Sequence, residues 1–128
     1  MTPEAEAALT SVRNAISKLP QVEERLSHGE PTWFVGGKKS FAMFCNYHHG
    51  LRLAVWCAAP PGVQEVLIVD EPEKYFRPPY VGPRGWIGIY LDREVDISEL
   101  EGLLEEAYRA VAPPKYLKML DQDRGSAT

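Results

Sequence analysis

Hydrophobic positions change their spacing along the chain, and that spacing predicts the elements. Leu9, Val12, Ile16 and Leu19 recur at helical intervals after Thr2-Pro3, a cap followed by a first-turn proline. A helix is therefore expected from Pro3 to Lys18, stopped by Pro20. The next stretch, QVEERLSHGEP, is polar and irregular, with Gly29 and Pro31 as punctuation. Thr32 to Val35 and Lys39 to Asn46 are extended runs around Gly36-Gly37, and paired glycines favour a type I′ hairpin because both central residues take positive φ. Leu51, Leu53, Val55 and Cys57 then alternate as the buried face of a third strand.

Pro60-Pro61-Gly62 opens a segment whose Val63, Val66 and Leu67 suit a short helix from Pro61 to Asp70, although VLIV also reads as a buried strand. Tyr75 to Arg77 is expected as an edge strand ended by Pro78-Pro79. Gly82-Pro83-Arg84-Gly85 turns into Trp86 to Leu91, where Ile87, Ile89 and Leu91 face the core. Asp96 and Glu99 form a capping box, with Val95 and Leu100 placed as a hydrophobic staple. Ile97, Leu100, Leu104, Ala107 and Val111 supply the core stripe of the closing helix. Pro113-Pro114 breaks it, KYLKML adds one further turn, and residues 121–128 are expected to fray. The pattern implies one domain over residues 1–120, a flexible C-terminal tail over 121–128, and no repeat.

At 128 residues the chain can bury one core without metal or disulfide staples. No apolar run approaches the roughly 20 residues of a membrane span, and MTPEAEAALT lacks a signal-peptide core, so a cytoplasmic monomer away from membranes is expected. The net charge of −4 argues against nonspecific coating of nucleic acid. Its distribution is uneven. Residues 31–60 hold Lys38, Lys39 and Arg52 with no acid, whereas residues 93–128 hold eight acids against five bases. With a three-residue turn around His49, Cys57 lies opposite Phe41 and four ladder positions from Cys45, roughly 13 Å, so two free thiols are expected.

Two groups of side chains are candidates for binding. In the assumed register Trp33, Ala42, Phe44, Arg52 and Trp56 share the face away from the odd-numbered core, joined by Trp86 and Tyr90. Such a face can stack bases or receive an apolar partner; covered on both sides, it is simply core. The second group is the basic tips: Lys38 and Lys39 beside Gly36-Gly37, and Arg84 within its glycine turn, where cations and turn amides could meet phosphates. Solvated turns are the bland alternative. GGKKS lacks P-loop spacing. Adjacent His48 and His49 point apart on an extended chain, Cys45 has no partner base, and Glu105-Glu106 sit on a solvated helix face. No catalytic residue, metal site or cofactor cradle is expected.

Four segments, LPQVEE (19–24), HGEPTWFVGGKKSFA (28–42), RPPYVGPRGW (77–86) and EEAYRAVAPPK (105–115), resemble the MmcQ/YjbR family in wording and order. The resemblance implies an α+β two-layer sandwich, with helices on an antiparallel sheet of about five strands in the order α-β-β-β-α-β-β-α, akin to CyaY-like and secretion-chaperone-like folds. It also implies a helix at VLIV and a non-enzymatic, DNA-binding protein. On that reading Lys38, Lys39, Arg52, Arg77, Arg84 and Trp86 contact nucleic acid. The alternative is a protein- or peptide-binding module that uses Trp33, Phe44, Trp56, Tyr80 and Tyr90.

Overall fold

The computed structural model describes residues 1–126. In chain order these form α1 (Pro3–Ile16), β1 (Val22–Ser27), β2 (Glu30–Val35), β3 (Lys39–Cys45), β4 (Ala54–Cys57), α2 (Val63–Asp70), β5 (Tyr75–Phe76), β6 (Ile87–Tyr90), α3 (Ile97–Val111) and α4 (Pro114–Ser126). The strands make one antiparallel sheet in the order β1-β2-β3-β4-β6-β5. The α+β class holds, and the ambiguous VLIV segment is helical.

Both long-helix starts follow from their caps. Thr2 accepts a hydrogen bond from the Ala5 amide at 3.1 Å, and Asp96 accepts one from the Glu99 amide at 3.2 Å, each satisfying a donor the helix itself leaves open. Leu9, Val12 and Ile16 of α1 are buried with Leu100, Leu104, Ala107 and Tyr108 of α3. Ile97 departs from the expected stripe: at the first position of α3 it is 47% exposed.

Two elements exceed the expectation. The polar stretch after α1 contains β1, which makes six strands rather than about five. VEERLS is an edge strand whose side chains are mostly solvated on both faces, so it carries no alternation for a pattern to reveal. The single turn expected after Pro113-Pro114 is a 13-residue helix, α4. Its Leu120 is buried, and ion pairs from Arg109 to Asp121 and from Arg124 to Glu105 join it to α3. Residues 121–126, expected to fray, continue that helix; residues 127 and 128 lie outside the described residues.

Register decides which side chains share a face. Gly36 (φ 59°) and Gly37 (φ 72°) do form the expected turn, closed by the Lys38 amide on the Val35 carbonyl at 3.1 Å. Lys38 stays outside the ladder, so Val35 pairs with Lys39, and a bulge at Trp33/Phe34 then brings Trp33 opposite Ala42. The β3–β4 connection runs from Asn46 to Leu53, through a left-handed Tyr47 and a 3-10 turn at His48–Gly50, not through three residues. Ala42 therefore faces Cys57, Met43 faces Trp56 and Phe44 faces Val55.

Continuous rows result. Phe44, Val55, Ile89 and Tyr75 line up on the helix side, where the Tyr75 hydroxyl bonds Glu99 of α3. Trp33, Ala42, Cys57 and Ile87 form the neighbouring row. Thr32, Met43, Trp56, Gly88 and Phe76 run across the opposite, outer face. The three tryptophans therefore do not share one side. Trp33 points toward the helices and Trp56 away from them, and all three are buried at 2–4% exposure. All four residues of β4 are buried, and Tyr80 and Val81, after β5, share a cleft with Trp56 on the outer face, so both sides of this strand are packed.

Candidate functional site

The sheet register places the basic turns at one end of the molecule. Cys57, where β4 finishes, pairs with Ala42 and with Ile87, where β6 begins. The Gly36-Gly37-Lys38 tip above β2–β3 and the Gly82–Gly85 turn before β6 thus rise from the same end. Lys39 on β3 and the start of β6 are two strands apart, roughly 10 Å across the sheet.

α4 adds a cation that local sequence pattern did not connect with the tips. Its first residues return to the hairpin: a side-chain Cβ built at Gly36 would lie 2.9 Å from the Tyr116 ring. Between them is a cleft of about 300 Å³ lined by Val35, Gly36, Lys38, Lys39, Val111, Pro113, Lys115 and Tyr116. Three lysines therefore surround one cleft that has no carboxylate in its lining. Lys115 lies 5.0 Å from the centroid of the Tyr116 ring. No spacing motif links Lys38 with Lys115. Their meeting depends on α4 being a real helix that folds back, and the Pro113-Pro114 break hid it.

The pairing of cations divides the molecule. Arg13, Lys18, Arg25, Arg52, Lys74, Arg109 and Arg124 all contact carboxylates. Among the described residues Lys38, Lys39, Arg77, Arg84, Arg93, Lys115 and Lys118 have no ion pair and all seven are exposed; Lys38, Lys39, Lys115, Arg77 and Arg84 stand at the hairpin end, whereas Arg93 follows β6 at the other end and Lys118 lies further along α4. Arg77 packs its side chain along Gly82, and Arg84 lies over the Trp86 ring at 5.4 Å from its centroid. Trp86 itself is buried, its carbonyl taken by the Gln64 amide at 2.5 Å, so it serves as a support for Arg84.

Arg52 does not join this group. It precedes β4 at the opposite end, where it makes two 2.7 Å hydrogen bonds to Asp92 and lies 3.6 Å from the Tyr90 ring centroid. The Arg52 guanidinium holds the Asp92 carboxyl below its ordinary range. Phe76 stacks on Tyr90 at 4.5 Å, so guanidinium and phenyl ring occupy the two sides of the phenol.

The aromatic set is also divided. Trp33 and Phe44 are buried on the helix side, and the Trp33 indole donates to Glu24 at 3.1 Å. Trp56 lies on the outer face in a second cleft, of about 320 Å³, with His28, Glu30, Met43, His48, Tyr80 and Val81. Tyr80 is 80% exposed at its rim. Tyr90 belongs to a third cleft of about 440 Å³ beside Tyr75, Lys74 and Glu99. There Glu99 is already engaged by the Tyr75 hydroxyl and by Lys74 at 3.5 Å.

Cys45 and Cys57 are free and buried. Cys57 sits opposite Ala42 rather than Phe41, three ladder positions from Cys45 and on the other face. Burial pushes the Cys57 thiol up to about 12 and also raises that of Cys45, so neither is a ready thiolate nucleophile. Glu105 is held by Arg109 and Arg124; burial opposes its ionisation, but the two arginines bring its carboxyl below the ordinary range. Among the described residues no three His, Cys, Asp or Glu side chains gather as a metal-holding group, and no helix is long and apolar enough to cross a membrane.

Comparison with known proteins follows the fold closely. The YjbR family model matches residues 17–110. No curated protein matches the chain. Among solved structures, the crystal structure of Deinococcus radiodurans protein DR2400, which has a DUF419 domain, aligns with a TM-score of 0.70. The alignment covers 88% of this chain and 87% of that one at 17% sequence identity, a likeness of fold.

Proposed function

The chain belongs to the YjbR family, and from this premise we propose that it is a non-enzymatic, cytoplasmic DNA-binding protein that holds phosphates at the hairpin end of its sheet. One observation carries the reading: the cations left without carboxylate partners at that end include three lysines around a single acid-free cleft. Phosphate contacts need cations that are not already neutralised, since affinity comes from replacing condensed counterions. The start of α4 adds the partial positive charge of a helix N-terminus beside Lys115. Arg77 and Arg84 extend the same end by roughly 10 Å, enough to meet a second phosphate.

The net charge of −4 is compatible with this arrangement because much of the acid surplus lies on α3 and in carboxylates paired with other arginines. A protein- or peptide-binding module has less support: of its expected platform, Trp33 and Phe44 are enclosed by the helices and Tyr90 is covered by Arg52 and Phe76.

Fluorescence anisotropy of a labelled duplex at low salt is the test. The intact protein is expected to bind, and replacing Lys38, Lys39 and Lys115 together by Ala is expected to weaken binding about tenfold or more. Arg52→Ala serves as the control and should leave affinity nearly unchanged, because that guanidinium is already neutralised by Asp92. Absence of binding at low salt, or equal loss in both variants, would reject the reading.

A further inference from the structure

The outer-face cleft around Trp56 has a chemistry unlike that of the lysine end. Its floor is the directly paired Met43 and Trp56, with Glu30 displayed on the same face from the start of β2. Trp56 is 4% exposed, and its indole Nε1–H is a buried donor with no acceptor among the described residues. Trp33, by contrast, has Glu24 for its indole. A buried donor without a partner is rare in folded proteins and calls for one, whether an ordered water, an ion or a ligand atom.

The second polar group of the cleft is an acceptor. Glu30 is 8% exposed and bound through one oxygen to the Asn46 amide at 2.6 Å, which fixes the carboxylate while leaving lone pairs on both oxygens. The rim is aromatic and held in an unusual backbone state: His28 (φ 54°) and exposed Tyr80 (φ 63°) are both left-handed, on loops that flank the opening. Val81 completes an apolar wall.

We propose that this cleft binds a planar heterocycle of the nucleobase class whose edge carries a carbonyl beside a ring N–H, as in uracil and guanine. The carbonyl accepts from Trp56 Nε1–H, the ring N–H donates to Glu30, and the ring faces lie against Met43 and the rim aromatics. A volume of about 320 Å³ accommodates one such ring with room for its sugar outside. Adenine lacks the carbonyl and leaves the indole unpaired, which is the kind of mismatch that discriminates strongly. The proposal stands on this cleft alone and does not require the lysine end to bind phosphate.

Nuclear magnetic resonance of the indole N–H signals of the full chain tests it. The Trp56 signal is assigned by its disappearance in Trp56→Phe, with retention of the other two as proof that the variant folds. Titration with uridine and with guanosine is expected to move the Trp56 signal, with affinity no weaker than about 1 mM. Adenosine, and uridine methylated on its ring N–H, are expected to bind about tenfold or more weakly. Because the methylated probe acts on the ligand, this arm needs no substitution in the protein. A short oligouridine binding more tightly than uridine would identify the base of a single strand as the source; equal affinity would identify the free nucleoside. No movement of the Trp56 signal with either nucleoside, or equal movement with adenosine and the methylated uridine, overturns the proposal.

Discussion

Gly88 shows how one atom's absence shapes the outer face. A Cβ there would lie 2.3 Å from the Phe76 ring, which crosses the strand at that point and stacks on Tyr90. Gly88→Ala is therefore expected to displace Phe76 and destabilise the fold by about 1–3 kcal/mol, read from urea unfolding. Asp92 offers a second check at this scale. Its hydrogen bonds from Arg52 hold the carboxyl below its ordinary value of 3.8. A carboxylate depressed in the folded state contributes stability that is present above the unfolded value and is lost as pH falls through the folded one. Part of the stability should thus disappear from near pH 3.8 downward, and Asp92→Asn should flatten that part of the profile in thermal melts. Residue chemistry of this kind was only partly legible in the sequence. The caps Thr2 and Asp96 were readable because their partners are three residues away, whereas Arg52 and Asp92 are forty apart and meet only through the sheet.

Elements were legible in proportion to how one-sided their burial is. α1 and α3 bury one clear face and, like the alternating β6, stand where periodicity put them, within a residue or two. β1 solvates both faces and left no pattern. α4 follows a double proline that reads as a stop, yet proline is well suited to a helix's first turn. Its packing is testable. Leu120→Ala is expected to cost about 2–5 kcal/mol in urea unfolding, because the side chain is 2% exposed. A near-neutral result would mean that α4 does not dock on α3. Register was the least legible property: Lys38 and the bulge at Trp33/Phe34 together leave Trp33 on the face of Ala42 and Phe44, whereas the one-position shift across the β3–β4 connection sets Cys57 instead of Trp56 opposite Ala42 and sends Trp56 to the other face.

Across the whole molecule, the proposed phosphate binding depends on which cations remain available and not on the net charge of −4. The cations of α1, β1, the Asp92 corner and the α3–α4 contact are paired internally, while the hairpin end retains Lys38, Lys39, Lys115, Arg77 and Arg84. Lys38, Lys39 and Arg84 were legible from turn chemistry and Arg77 from its place near them, whereas Lys115 was not, because its neighbourhood is set by the fold-back of α4. Sequence reading also included Arg52, whose exposed position in the chain did not reveal the carboxylate opposite it. The central claim is best tested by the salt dependence of duplex binding. Each phosphate contact contributes a slope of about −0.9 in log affinity against log salt, so replacing the three cleft lysines by Ala should reduce the slope by about 2 to 3. An intact protein whose affinity is insensitive to salt, or a variant with an unchanged slope, would contradict the account.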